Sequence, residues 1–170
     1  SDLYASYDSP EDANKFSKDP DNKWHGFSIF AQPLMVNTNK VNESDYPTTV
    51  NDLLDSKWQE LGGIALADPN KSGTGHTIVS GLASGLGWDF TTDLIKVTIV
   101  TPGSTPMFEG VRDGEAAIGW VNEDLGAKWE AEGLPVKMIY ALDAVTVQID
   151  AYGLVSGGPN PDDAKKFIDY

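Results

Sequence analysis

Three short segments carry residue types able to hold a ligand. Asp68-Pro69-Asn70-Lys71-Ser72-Gly73-Thr74 and Thr101-Pro102-Gly103-Ser104-Thr105-Pro106 each set small hydroxyls beside glycine or proline, just ahead of an apolar helical stretch. Backbone N–H groups at a helix start lack internal acceptors and lie at the positive end of the helix dipole, so both segments suit an anion. The candidate residues there are Ser72, Gly73, Thr74, Ser104 and Thr105. Each turn also has a plainer reading: Ser72 as an N-cap, and Thr105 as a cap with Pro106 at the first helical position. The third segment is Trp120-Val121-Asn122-Glu123-Asp124. Trp120 ends an apolar strand and offers a ring face for stacking or for a cation. Asn122, Glu123 and Asp124 follow; the two acids suit an amine or a metal, or simply complement a helix dipole.

Catalytic groupings do not emerge. His25 and His76 are the only histidines, and neither stands in a metal-ligand spacing. Lys71-Ser72-Gly73-Thr74 lacks the glycines that precede the lysine of a P-loop. There is no Gly-x-Ser-x-Gly elbow, and Gly85-Leu86-Gly87 lies late in a helical pattern rather than after a strand. The chain has no cysteine, which excludes disulfides, thiolate nucleophiles and sulfur-ligated metals. Neither an enzyme, nor a cofactor, nor a metal centre is expected.

Composition bounds the rest. The 170 residues carry 26 acids against 12 bases, a net charge of −14, so a nucleic-acid backbone is an unsuitable partner. Apolar residues make up 40%, enough for a core, and no apolar run reaches the length of a membrane span. The chain opens Ser1-Asp2-Leu3-Tyr4 and reads as a processed or excised piece.

The elements that must position the candidate residues alternate. Ser9-Pro10-Glu11-Asp12 reads as a helix start. Trp24 to Asn37 is a long extended stretch broken by Pro33, which fits an edge strand or a bend. Thr48 to Leu54 reads as a short capped helix, and Gly63 to Ala67 as a buried parallel strand. Ile78, Leu82 and Leu86, four apart, give the next helix its apolar stripe. A strand is expected from Lys96 to Val100, a helix from Thr105 to Gly114, and a strand from Ala116 to Trp120. Asn122 caps a helix reaching Gly133. Val136 to Tyr140 and Thr146 to Val155 are strands, and Asn160 caps the last helix. This alternation implies a three-layer α/β architecture, a mostly parallel sheet with helices on both faces.

The motifs at these positions resemble a known family. Ala67 to Thr74 reads Ala-Asp-Pro-Asn-Lys-Ser-Gly-Thr and is similar to the "ADPxxSGT" turn of type II periplasmic binding proteins of ABC importers. That group includes ferric-ion, hexose-phosphate, aminoethylphosphonate and polyamine binders. Trp24-His25-Gly26 to Asn39 looks like the hinge strand. Trp58 with Gly62-Gly63-Ile64-Ala65, Gly103-Ser104, Arg112 to Gly119 and Asn160 to Tyr170 match further family motifs. The resemblance implies a ligand-binding second lobe covering 1–170, with hinge segments near 26–37 and 165–170. It implies a non-enzymatic component of an importer, periplasmic or extracellular, with a lipoprotein anchor in the parent as one option. Its partners would be a small-molecule or ion ligand, an ABC permease and a missing N-terminal lobe. A homodimer through exposed hinge segments is a further expectation. Ferric-ion binders carry adjacent tyrosines where this chain has Trp120 to Asp124, which is more similar to polyamine or aminophosphonate members. Together with the resemblance, the segments imply a small anionic or zwitterionic solute: a phosphate ester, a phosphonate, or a metal with its anion. The alternative is a ligand-sensing effector domain of a regulator on the same fold.

Overall fold

The structure is a computed structural model that describes residues 3–170. In chain order it contains β1 (Tyr4–Ala5), β2 (His25–Gln32), β3 (Leu34–Asn37), α1 (Lys57–Leu61) and β4 (Ile64–Ala67). There follow α2 (Gly73–Leu86), α3 (Trp88–Lys96), β5 (Thr98–Thr101), α4 (Ser104–Arg112), β6 (Ile118–Trp120) and α5 (Glu123–Ala131). Last come β7 (Val136–Ile139), β8 (Thr146–Tyr152), β9 (Leu154–Val155) and α6 (Pro161–Asp169). β1 pairs with β9, β2 pairs with β8, and the remaining five strands form one sheet.

The chain divides into two units, Phe30–Gln148 and Ser1–Ile29 with Ile149–Tyr170, and it passes from one to the other inside β2 and inside β8. The larger unit carries the five-stranded sheet, in the order β5-β4-β6-β3-β7. β4 is parallel to both β5 and β6, while β3 is antiparallel to β6 and to β7. Four strands therefore point one way and β3 opposes them. All four residues of β4, and Leu34 to Val36 of β3, are buried. Successive strand side chains alternate faces, so both faces of the sheet are covered and the three-layer α/β expectation holds.

Some local expectations differ from the structure. Pro33 separates β2 from β3 as a break, but β3 is an interior strand rather than an edge. The proline N lies outside the ladder, while its carbonyl accepts the Val121 N–H at 3.1 Å. The helix expected at Ser9 is a single 3-10 turn, Asp12–Asn14. Ser9 Oγ accepts the Glu11 N–H at 3.3 Å and donates to Asp169 at 2.8 Å, so its hydroxyl ties distant segments together instead of capping a helix. α3 was not anticipated; Gly87, at φ 88°, breaks the chain after α2, and Thr91 and Leu94 then bury a second helical face.

The smaller unit is tied differently. Its β1 and β9 are two residues each. Asp169 accepts hydrogen bonds from Tyr7 and Ser9, both at 2.8 Å. His25 is fully buried, with Nδ1 2.7 Å from Asp12 Oδ1. Burial pushes the Asp12 carboxyl up, but its hydrogen bonds to His25 and Lys18 outweigh that and hold it below the usual carboxylate range. Lys15 donates to the Tyr152 hydroxyl and the Ile168 carbonyl, and Phe27 stacks on Tyr152 with ring centroids 5.1 Å apart.

Candidate functional site

The ends of β4 and β5 are level. Ala67 pairs with Thr101, and the Asp68 N–H continues the ladder to the Thr101 carbonyl at 2.9 Å. The two turns that follow therefore leave one edge of the sheet side by side. Each leads directly into a helix, α2 or α4. This is the carboxyl edge of the parallel strands, and the strand order switches sides of β4 between β5 and β6.

The first turn is built to present the start of α2. Asp68 accepts the Asn70 N–H at 2.9 Å and meets Lys71 Nζ at 3.2 Å; these contacts, the backbone one foremost, hold its carboxyl below the usual range. Its carbonyl accepts the N–H groups of Lys71 and Ser72. Ser72 is in extended conformation and its Oγ accepts the Gly75 N–H at 3.2 Å, so it is the N-cap. Gly75 allows α2 to press on the end of β4: a Cβ there would lie 2.4 Å from the Ala67 carbonyl oxygen. The N–H groups of Gly73 and Thr74 have no intrahelical acceptor.

The second turn differs from the sequence expectation in its boundary. α4 starts at Ser104 with Gly103 as N-cap, so Thr105 and Pro106 are the second and third helical residues. The reason is local. Thr101 Oγ1 donates to the Gly103 carbonyl at 2.8 Å and fixes that residue in extended conformation. Pro106 is tolerated in the first turn, where an N–H would be unpaired in any case. Ser104 and Thr105 then hold the free N–H groups. Met107 anchors the helix by accepting the Ala67 N–H at its sulfur, 3.2 Å away.

These two starts share one depression of about 420 Å³, lined by Lys71, Ser72, Gly73, Thr74, Gly103, Ser104, Thr105, Pro106 and Gln148. All five anion-seat candidates thus converge. The lining consists of backbone N–H groups, hydroxyls, one ammonium and one carboxamide, with no carboxylate among the lining residues. Such a surface offers donors and positive potential to an oxyanion. Gln148 was not anticipated. The signal for it was the alternation Thr146, Gln148, Asp150 against Val147, Ile149, read as a strand with no assigned polar face.

The third segment does not join this depression. Trp120 is 2% exposed and packs in the apolar core, with Leu34 opposite it in the ladder. A ring so placed has no open face for stacking, which corrects the expectation that it fronts a ligand. Asn122 occupies the N-cap position of α5 without a side-chain cap bond, and its Oδ1 is buried without a partner. Glu123 is already engaged: it accepts the Ala31 N–H at 3.3 Å and the Tyr140 hydroxyl. That carboxylate, helped by burial, pushes the Tyr140 phenol up to about 12. Asp124 is exposed. Among the described residues, no three His, Asp or Glu side chains come together as a metal-holding group.

Comparison with known proteins fits this geometry. The profile of the bacterial extracellular solute-binding protein family matches residues 3–170. Among solved structures, AfuA from Actinobacillus pleuropneumoniae, with exogenous fructose-6-phosphate bound, superposes with a TM-score of 0.86 at 25% identity, over 98% of this chain and 56% of that one. The periplasmic binding protein P5PA gives 0.85 at 23% identity, over 99% of this chain and 57% of that one. A two-component system protein that mediates signal transduction gives 0.84 at 17% identity, over 98% and 57%. The chain therefore spans less than three fifths of the length of each. Comparison with curated proteins gives no match.

Proposed function

The chain belongs to the bacterial extracellular solute-binding proteins, and on that premise we propose that it carries the anion-holding part of an importer's binding protein. Members of this family bind small ligands and deliver them to ABC permeases. The unit Phe30–Gln148 is read as a ligand-binding lobe, and the passages inside β2 and β8 as the hinge. About two fifths of each relative's length has no counterpart here, and we assign the opposite wall of the site to that part. The location is periplasmic or extracellular. The ligand is a small solute with a phosphoryl or phosphonyl group, seated between Ser72-Gly73-Thr74 and Ser104-Thr105.

The observation that carries this reading is the pair of helix starts on one sheet edge, with no carboxylate among the residues that line the depression between them. Each N-terminal contact with an anion contributes about 0.3–1 kcal/mol, so four give about 1–4 kcal/mol, a Kd of roughly 1 mM or weaker for the seat alone. A second wall would tighten it. The fructose-6-phosphate in AfuA is consistent with this ligand class.

A thermal-shift series tests the proposal. Inorganic phosphate, methylphosphonate and fructose-6-phosphate should each raise the melting temperature, while putrescine and ferric ion should not. At ten times Kd the gain is about 1.4 kcal/mol. Stabilisation by putrescine or ferric ion alone would overturn it. A sensing domain is the second reading, favoured by the likeness to the signal-transduction protein. It keeps the same seat and is distinguished by finding a kinase or regulator domain, rather than a permease and an ATPase, in the same gene or operon.

A further inference from the structure

The five-stranded sheet has two edges, β7 and β5, and they are finished differently. On β7, the Thr38 N–H bonds the Pro135 carbonyl, so by alternation Lys137 and Ile139 face β3 and Met138 turns its backbone groups outward. Glu130 of α5 accepts that outward Met138 N–H and meets the Lys137 ammonium at 3.3 Å. Two charged side chains therefore blunt this edge. On β5, the Asp68 N–H bonds the Thr101 carbonyl, so Thr101 and, by alternation, Ile99 face β4. Thr98 and Val100 turn their backbone groups away from the sheet. Among the described residues, no strand pairs with that side and no group bonds those outward amides and carbonyls. Val97-Thr98-Ile99-Val100-Thr101 carries no charge in a chain of net charge −14, and Ile99 and Val100 are 47% and 53% exposed.

We infer that the β5 edge is a contact surface for a second copy of this chain, the two β5 strands pairing antiparallel about a two-fold axis at Ile99. The register follows from which groups face outward. Val100 opposite itself would set Thr98 against Pro102, which has no N–H. Thr98 opposite itself would set Val100 against Lys96, the last residue of α3. Thr98 opposite Val100 remains. It forms four hydrogen bonds, sets Ile99 against its own copy, and sets Val97 against Thr101. All five residues are β-branched, the type that packs well in cross-strand pairs. No carboxylate in the strip meets its like, so the chain's acidity does not oppose contact there. A contact related by a two-fold axis closes on itself and stops at a dimer. β5 is only four residues long, so the pairing buries far less than the about 1,200 Å² of a stable interface. The dimer is weak and forms at high protein concentration.

The test uses the full chain, which has no cysteine of its own. Residues opposite each other at a non-hydrogen-bonded position lie about 4.5 Å apart at Cα, within disulfide range. Ile99→Cys should therefore form a disulfide-linked dimer under mild oxidation. Adding Val100→Pro removes an outward N–H from each copy and spares the bonds to β4. Losing two of the four interchain bonds should slow the initial rate of linking about thirtyfold. By sedimentation, Ile99→Lys and Ile99→Glu should each associate less than the wild type, and an equimolar mixture should regain association because position 99 faces its own copy. A folded Ile99→Cys that stays unlinked, linking that Val100→Pro leaves unchanged, or a mixture no more associated than its parts overturns the inference. If Val100→Pro does not fold, the Lys–Glu mixture decides.

Discussion

The two units of this chain are held together by different physics. Phe30–Gln148 holds the apolar core, although Trp88, Ile99, Val100, Leu142 and Val147 among others are exposed: among the described residues, every buried hydrophobic except Leu154 and Ile168 belongs to it. In the unit made of the chain's ends, Phe16, Phe27, Ile29, Ile149 and Phe167 are exposed, and the ties are polar or aromatic. Buried apolar area is the dominant stabilising term, at about 25 cal/mol per Å², whereas a hydrogen bond contributes about 1 kcal/mol net. The sheet-bearing unit therefore has the means to hold a rigid seat. The other unit depends on a few carboxylates and on whatever covers its apolar side chains.

That contrast can be tested from its strongest consequence downward. Trp120→Ala should cost about 3–5 kcal/mol in urea denaturation, because the ring lies in the larger unit's core. A cost below about 1 kcal/mol with weakened ligand binding would return Trp120 to a ligand-facing role. Asp12→Ala should cost about 1–3 kcal/mol, confined to the smaller unit, because it strips the partner from a buried imidazole whose Nε2 already lacks one. Hydrogen exchange of residues 3–29, compared with β4, checks the confinement. Acid should act on the same contact. The Asp12 carboxyl is depressed in the folded state, so its contribution is complete above the unfolded value near 3.9 and is lost as pH falls through the lower folded one. Amides of the smaller unit should therefore lose protection below about pH 4, before those of β4 do. Loss in the reverse order would break the comparison.

The smallest stability effect is expected from Phe27→Asp with Ile29→Lys, about 1 kcal/mol, most of it the lost Phe27–Tyr152 stack, since both side chains are otherwise exposed (56% and 57%). Their expected effect is on association instead. Within 27–36, Leu34 to Val36 are buried in the sheet, so an edge available to a second copy is limited to β2 ahead of Pro33. Sedimentation at several concentrations should find self-association in the wild type and less in the double variant. A wild type monomeric throughout would remove the dimer expectation.

Much of the seat was legible because its signals are local. Ser72 before a glycine and the four-residue spacing of Ile78, Leu82 and Leu86 each report their own backbone conformation, while Thr105-Pro106 marks a helix start but not its cap, which is Gly103. Their convergence followed from the rule that parallel strands deliver their turns to one edge. What escaped was non-local. β2 and β8 turn Gln32 and Thr146 inward and Phe27, Ile29, Val147 and Ile149 outward, the reverse of the usual burial preference. Read by hydrophobicity alone, Gln148 is then placed on the wrong side. Trp120 misled for a related reason: the end of a strand is not its exposed end when the next residue, Val121, is also buried and bonded to Pro33. Ser9 has the composition of a cap, but a carboxylate 160 positions away captured its hydroxyl.

The central claim is that the starts of α2 and α4 form one seat for an oxyanion. Titrating the ¹⁵N-labelled chain with inorganic phosphate tests it most directly. The backbone amides of Gly73, Thr74, Ser104 and Thr105 should shift together along a single binding curve with a Kd of about 1 mM or weaker. Separate curves for the two turns, or shifts confined to exposed lysines with all four amides unmoved, would contradict it.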